Sequence, residues 1–213
     1  MRMKMTSNII NGIYAITPDW EDTRQLIIKT EELLLNKINL LQYRNKKVSK
    51  QLRMTQAKEL QALCHHYQVP FIINDDYELC GILNADGIHL GKDDITIEEV
   101  RDRLGNDIIV GISCYNDFER VNKMMATNCD YIALGACFPT NTKPNAPHAS
   151  LNFLENVVEI SIKPVVAIGG INLDNCLPII NSGVNAIAMI NALYSTDKVS
   201  NKILEIKRKF ING

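Results

Sequence analysis

This sequence predicts an α/β chain closed into a single (β/α)8 TIM barrel, and three observations carry that reading. Short apolar runs of strand length recur along the whole chain. Stretches with helical start and stop signals separate them. The 213 residues hold eight such units without a linker or low-complexity break. One α/β barrel takes about 250 residues, so a single domain uses the chain. The runs are near-continuous in Ile, Val, Leu and Ala, as in parallel strands covered by helices. A doubly wound open sheet is the competitor, and the chain has no Gly-x-Gly-x-x-Gly turn to favour it. Residues 1–11 are read as a flexible tail or a barrel cap.

The first unit pairs a strand over Gly12–Thr17 with a helix over Asp22–Leu35, and the second pairs Ile38–Arg44 with Ser49–Tyr67. The third joins Pro70–Asp75 to a short helix at Tyr77–Leu83, and the fourth joins Ala85–Gly91 to Thr96–Leu104. Strands follow at Asp107–Ser113, Cys129–Gly135, Pro164–Gly170 and Val184–Ile190. Their helices span Asp117–Ala126, Ser150–Ile160, Leu173–Asn181 and Lys198–Phe210. Asp22-x-x-Gln25, Thr96-x-x-Glu99 and Asn116-x-x-Glu119 each have the form of a capping box. Gly105 and Gly183 stand where helices should end.

Apolar residues make up 46% of the chain and charged residues 22%, and the net charge is −1. That balance gives no reason to expect nucleic acid or an anionic membrane as partner. None of the six cysteines forms a Cys-x-x-Cys pair, so they read as small buried apolar residues in a reducing cytoplasm. Met-Arg-Met-Lys-Met has no apolar stretch behind it, which argues against a signal peptide. The uncharged segment Cys176–Thr196 contains Pro178, Gly183 and three asparagines, so it is not a membrane span. A homo-oligomer is left open.

In such a barrel, function sits at the carboxyl ends of the strands. Here those ends are polar from the second strand to the eighth. They carry Gln42, Arg44 and Lys46; Asn74 and Asp75; Asp94; Ser113; Thr140, Thr142 and Lys143; Gly169-Gly170 with Asn172 as a helix cap; and Ile190-Asn191. Neighbouring parallel strands lie roughly 5 Å apart, so Asp75 and Asp94 are placed to share one hard cation such as magnesium. Arg44, Lys46 and Lys143 face that pair, as a phosphorylated substrate requires. Lys47, Lys50 and Arg53 are read as a solvated helix face. Gly169-Gly170 lets an anion approach the main chain without a Cβ, a phosphate site of the kind found after strands seven and eight. His89 reads as a structural mid-strand residue, His65 and His66 as surface, and His148 as outside the site. Two anion sites at one mouth suggest loss of pyrophosphate from one substrate and bond formation to a second, phosphorylated one. No general base stands out.

Taken together, these residues resemble the thiamine phosphate synthase family. The matching pattern is Gln42-x-Arg44-x-Lys46, Ile73-Asn74-Asp75, Asp86-Gly87-Ile88-His89-Leu90-Gly91 with Asp94, and Gly111-x-Ser113. It continues through Pro139-Thr140-x-Thr142-Lys143, Ala167-Ile168-Gly169-Gly170-Ile171 and Ile190-Asn191. The resemblance implies a (β/α)8 barrel and a Mg2+-dependent condensation of a hydroxymethylpyrimidine pyrophosphate with a hydroxyethylthiazole phosphate. It makes Asp75 and Asp94 the magnesium ligands. It places Arg44, Lys46, Asn74, Ser113 and Lys143 around the pyrimidine pyrophosphate, with Gln42 near the ring. Thr140, Thr142, Gly170, Ile190 and Asn191 fall on the thiazole phosphate side. The chain has Asp76 and Asn191 where many members have Arg and Ser, and Lys92 where many have Gln. Asp76 adds a negative charge beside the metal ligands and removes a cation. A thiazole tautomerase or a non-catalytic phosphate-binding barrel are the alternatives, and neither needs the carboxylate pair.

Overall fold

The computed structural model describes residues 9–139, 148–196 and 199–212. Eight strands, β1 (Gly12–Ile16), β2 (Leu40–Tyr43), β3 (Phe71–Asn74), β4 (Gly87–Leu90), β5 (Ile109–Tyr115), β6 (Tyr131–Leu134), β7 (Val165–Ile168) and β8 (Ala186–Met189), lie side by side in chain order. Every pairing is parallel, and β8 returns to β1 through Ile13↔Ile187 and its neighbours, closing the predicted barrel. The helices around it are α1 (Thr23–Leu35), α2 (Lys50–His66), α3 (Tyr77–Leu83), α4 (Ile97–Leu104) and α5 (Phe118–Met125). They continue with α6 (Leu151–Ile160), α7 (Cys176–Asn181), α8 (Asn191–Tyr194) and α9 (Val199–Asn212).

Strand alternation sorts the side chains into two cores. Tyr14, Ile16, Leu40, Ile72, Tyr131 and Val166 point inward and form the barrel interior. Ile13, Leu41, Ile73, Ile88 and Val110 point outward, where they meet Leu26 and Leu33 of α1 and their counterparts. A fully buried leucine such as Leu26 or Leu33 contributes about 1.5–3 kcal/mol relative to exposure. Ile10 is wholly buried in the interior cluster just before β1, while residues 1–8 of the expected tail or cap lie outside the described residues. Gly111 leaves room for the Tyr131 ring, which a Cβ there would overlap.

Helix starts follow the capping residues. Asp22 accepts from Gln25 N, Ser49 from Leu52 N, and Thr96 with Glu99 completes a two-way box. The third expected box is displaced: Asp117, not Asn116, caps α5, and Asn116 donates to the His148 carbonyl instead. The fifth strand begins two residues later than expected and runs on to Tyr115, past Ser113, with an irregularity between those two. Its start is set from below. Buried Arg101 donates to the carbonyls of Asn106 and Ile108 and pairs with Asp130 at 2.7 Å, while Asp130 accepts from Val110 N. The seventh helix begins at Cys176, because Asn172 and Asn175 close a turn on each other before it. The extra four-residue α8 follows β8 directly. Among the described residues, no helix is long and apolar enough to cross a membrane.

Candidate active site

Two adjoining cavities open at the carboxyl ends of the strands. One, of about 520 Å³, enters the barrel and is lined by Gln42, Arg44, His89 and Ser113 on one side. Gly169-Gly170 and Ile190-Asn191 form its opposite wall. The other, of about 600 Å³, lies over β2–β4 and is lined by Lys46, Lys50, Arg53, Asp75 and Asp94. Asn74 lines both and makes them continuous.

The cations are held from residues that attracted no notice in the sequence. Arg44 Nη1 sits 3.1 Å from both carboxylate oxygens of Asp19, and Asp19 also accepts from Lys46 N at 2.8 Å. The Thr17 hydroxyl accepts from Arg44 N and donates to Arg44 O. Asn45, buried between them, donates to Trp20 O and to Gln56 Oε1. The β1–α1 loop thus fixes the backbone from which Arg44 and Lys46 project. Lys50 is exposed, as expected of a solvated helix face, at the rim of the second cavity; Arg53 is half-buried there, bonds Asn45 O and lies 3.5 Å from Asp76. Asp76 accepts from Leu79 N as the cap of α3, so its charge is directed to a helix N-terminus and a guanidinium.

Asp75 and Asp94 lie close enough for each to shift the ionisation of the other. Asp75 has φ +61, rare for a side chain with a Cβ, and is held there by its N–H on His89 O at 2.9 Å. Lys46 Nζ lies 2.8 Å from its carboxylate. Burial works against ionisation of Asp75, but the hydrogen bond and charge of Lys46 outweigh it and hold the pKa below the ordinary value. Asp94 is displaced upward by burial, against the Gly91 N–H at 2.6 Å, with the Asp75 charge adding to the rise. Two acids pushed in opposite directions mark a site short of positive charge. Among the described residues no group of three or more His, Cys, Asp or Glu side chains forms a metal cage. A pair of carboxylates fits magnesium, which takes its remaining oxygens from water and substrate phosphates.

Inside the barrel a line of polar groups crosses the floor of the first cavity. Gln42 Nε2 lies 2.8 Å from Tyr14 Oη, which lies 2.8 Å from Tyr131 Oη. His89 Nδ1 lies 2.9 Å from Tyr131 Oη, and His89 Nε2 lies 2.9 Å from Ser113 Oγ. His89 thus lines the first cavity, bonded on one side to Tyr131 and on the other to Ser113. Its mid-strand position gave neither its direction nor its partners. Arg120 of α5 donates to Ser113 O and Gly91 O, tying the serine to the turn that bonds Asp94.

On the opposite wall Gly169 has φ +103 and Gly170 φ +64. Phe138 N donates to Gly169 O, and Asn175 Nδ2 to Gly170 O. Asn172 closes that turn and does not cap α7. His148 is exposed and outside both cavities, and His65 and His66 are exposed at the end of α2. All six cysteines are free and buried; burial pushes the Cys80, Cys114 and Cys137 thiols up to about 12. Thr140, Thr142 and Lys143 lie outside the described residues.

The comparisons agree with this geometry. A thiamine-phosphate synthase of Methylobacillus flagellatus is 44% identical over 94% of this chain and 96% of its own. One of Nitrosospira multiformis is 41% identical over 94% and 86%. The solved thiamine phosphate pyrophosphorylase of Pyrococcus furiosus superposes with a TM-score of 0.83 at 28% identity, covering 97% of this chain and 98% of that one. A family model described as thiamine monophosphate synthase matches residues 13–193, and the chain belongs to that family.

Proposed function

We propose that the two cavities hold the two substrates of one condensation. The protein joins 4-amino-5-hydroxymethyl-2-methylpyrimidine pyrophosphate to hydroxyethylthiazole phosphate, giving thiamine phosphate and pyrophosphate. The observation that carries the reading is the Asp75–Asp94 pair beside Lys46, continuous through Asn74 with a cavity lined by Arg44 and walled by Gly169-Gly170.

Asp75 and Asp94 would hold magnesium, which when bound neutralises charge on the pyrophosphate oxygens. Arg44 and Lys46, with Lys143, bind the leaving pyrophosphate and stabilise the charge that builds on its bridging oxygen. Asn74 and Ser113 donate to the same group, and Gln42 meets the pyrimidine. Gly170, Ile190 and Asn191, with Thr140 and Thr142, hold the thiazole phosphate opposite. The bond between the pyrimidine methylene and the pyrophosphate oxygen breaks with its electrons on oxygen. The thiazole nitrogen lone pair then forms the new C–N bond. That nitrogen carries no proton, so no general base is required. The partners are small molecules, and buried unpaired thiols fit a reducing cytoplasm.

Purified protein with both substrates and magnesium should yield thiamine phosphate and pyrophosphate, and a chelator should stop the reaction. Absence of product at saturating substrates would reject the reading. Undiminished turnover in chelator would reject the metal. A tautomerase would instead exchange a thiazole proton without magnesium, but it would leave the carboxylate pair without a purpose.

A further inference from the structure

Tyr115 holds a backbone conformation that a bulky side chain rarely adopts, with φ +55 in the left-handed region. Such strain persists where the surroundings over-determine it. Along β5, Ser113 stands level with Ala133 and Tyr115 with Leu134, so Cys114 is the extra residue of a bulge. A bulge beside a site re-aims a side chain. Ala133 belongs to the barrel interior and Leu134 to the outer core, so the shift sets Tyr115 off the inward row of Gly111 and Ser113. Gly135 N donates to Tyr115 O at 3.1 Å and Asp117 N to Cys114 O at 3.2 Å, which holds the bend. The ring lines the first cavity, and the hydroxyl accepts from Lys92 N at 3.2 Å on the connection between β4 and α4. In that connection Gly91 N donates to Asp94 Oδ2. A Cβ at Gly91 would lie 3.1 Å from Asp94 Oδ2 and 3.3 Å from Tyr115 Oη, so both oxygens close on the glycine. Arg120, whose guanidinium carbon lies 6.0 Å from the Tyr115 ring centroid, bonds Gly91 O as well.

We propose that Tyr115 is a positioning residue with two separable parts, one serving each cavity. Its hydroxyl fixes the turn from Gly91 to Asp94 and so presents the Asp94 carboxylate to a divalent cation in the second cavity. Its ring is a wall of the first cavity, against which the phosphorylated second reactant lies. Relaxing φ to the ordinary region would turn the side chain off at least one of these contacts. Lys92 takes part through its backbone N–H alone, so a lysine at that position leaves the bond intact. The inference rests on the substrate placement proposed above for what each part serves; the bond between Tyr115 and the turn does not depend on it.

The test uses the full-length protein, with calorimetry of magnesium pyrophosphate and of hydroxyethylthiazole phosphate, and amide hydrogen exchange without ligand. Tyr115→Phe deletes one oxygen from a half-buried ring and should fold. Its Lys92 amide should exchange faster than in the wild type. Magnesium pyrophosphate should bind about two- to tenfold more weakly, the scale of one neutral hydrogen bond, while hydroxyethylthiazole phosphate keeps its Kd. Tyr115→Ala removes the wall too and should weaken both ligands, and Tyr115→Leu replaces it if the alanine variant folds poorly. In an Asp94→Asn background Tyr115→Phe should add no further loss, since the hydroxyl acts through that carboxylate. Unchanged Lys92 exchange, an unchanged Kd for magnesium pyrophosphate, an equal loss on both ligands in Tyr115→Phe, or losses that add in the double variant would overturn the positioning role. Failure of the wild type to bind either ligand would overturn the substrate placement instead, and Lys92 exchange would still decide whether Tyr115 holds the turn.

Discussion

Replacing Gly170 with alanine separates the two walls of the mouth. The residue has φ +64, where an alanine costs roughly 1–2 kcal/mol of backbone energy. An added Cβ would lie 2.6 Å from Pro139 O, 2.8 Å from Phe138 Cβ and 2.9 Å from Phe138 O. Ordinary contact begins at 3.4 Å, so the nearest approach is short by 3.4 − 2.6 = 0.8 Å. The obstructing segment cannot simply withdraw, because Phe138 N is bonded to Gly169 O and Cys137 N to Ile168 O, both at 3.0 Å. The turn itself must move into or away from the cavity. A phosphate bonded to its amides at about 2.9 Å would be left at about 3.7 Å, outside hydrogen-bond range. Loss of one bond to a charged group, about 1.5–3 kcal/mol, raises KM for hydroxyethylthiazole phosphate about 10- to 100-fold. Steady-state kinetics at saturating pyrimidine pyrophosphate reads that change, and calorimetry reads magnesium pyrophosphate, whose Kd should stay within about twofold. A thiazole KM within twofold of wild type, or an equal loss on the pyrophosphate side, would refute the two-wall assignment.

Asp75→Ala should lower the rate at least about 100-fold, the scale of a lost charge-stabilising group, and near-normal turnover would show that it holds no metal. Arg53→Ala should weaken magnesium pyrophosphate about two- to fivefold by calorimetry, the scale of a partly exposed ion pair, with Asp76→Asn recovering part of the loss. Arg101→Met should lower stability by about 3–5 kcal/mol in urea unfolding, because Asp130 is left buried without its cation, while the folded fraction keeps normal KM values. Glu99 is held below its ordinary 4.5 first by the Thr96 N–H and then by the Thr96 hydroxyl. A depressed carboxylate contributes stability above its unfolded pKa and loses it as pH falls through the folded one. The Tm gap between wild type and Glu99→Gln should therefore be full at pH 7 and close below 4.5; a gap that persists in acid would assign it to shape.

The barrel was legible because its strands are buried on both sides, so each appears as an apolar run with a polar residue where it leaves the sheet. The same contrast exposed Asp75, Asp94 and Arg44. What stayed illegible was partnership. Asp19 looks like an ordinary turn residue beside Pro18, and nothing local announces that it grips Arg44 and Lys46 from another strand end. Arg53 sits on a polar helix whose exposed face and cavity-facing edge have the same composition. The fifth strand was misplaced because Ile108, Ile109 and Val110 are equally good strand formers. The distant pair Arg101 and Asp130 decides which carbonyl and amide leave the ladder. Asn172 was read as a helix cap because an Asx turn and an N-cap use the same side-chain acceptor.

Asp76 shows why a substitution pattern read along the chain misjudges local charge. By sequence it stands next to Asp75 and deepens the negative field at the proposed pyrophosphate site. In the fold it lines the same cavity, but its carboxylate accepts from Leu79 N and lies against Arg53. That arrangement puts a guanidinium at the edge of the second cavity, brought from α2 where the sequence position itself offers an acid. Arg53 is further anchored by Asn45 O, and Asn45 by the loop that fixes Arg44 and Lys46. Arg44, Lys46 and Arg53 thus hang from one hydrogen-bonded loop, and Lys46 reaches a carboxylate pair whose acids are shifted in opposite directions. Balance of charge at this mouth is a property of that shared scaffold, and it is on the scaffold, at Asp19 and Asn45 as much as at the ligands, that the anion site depends.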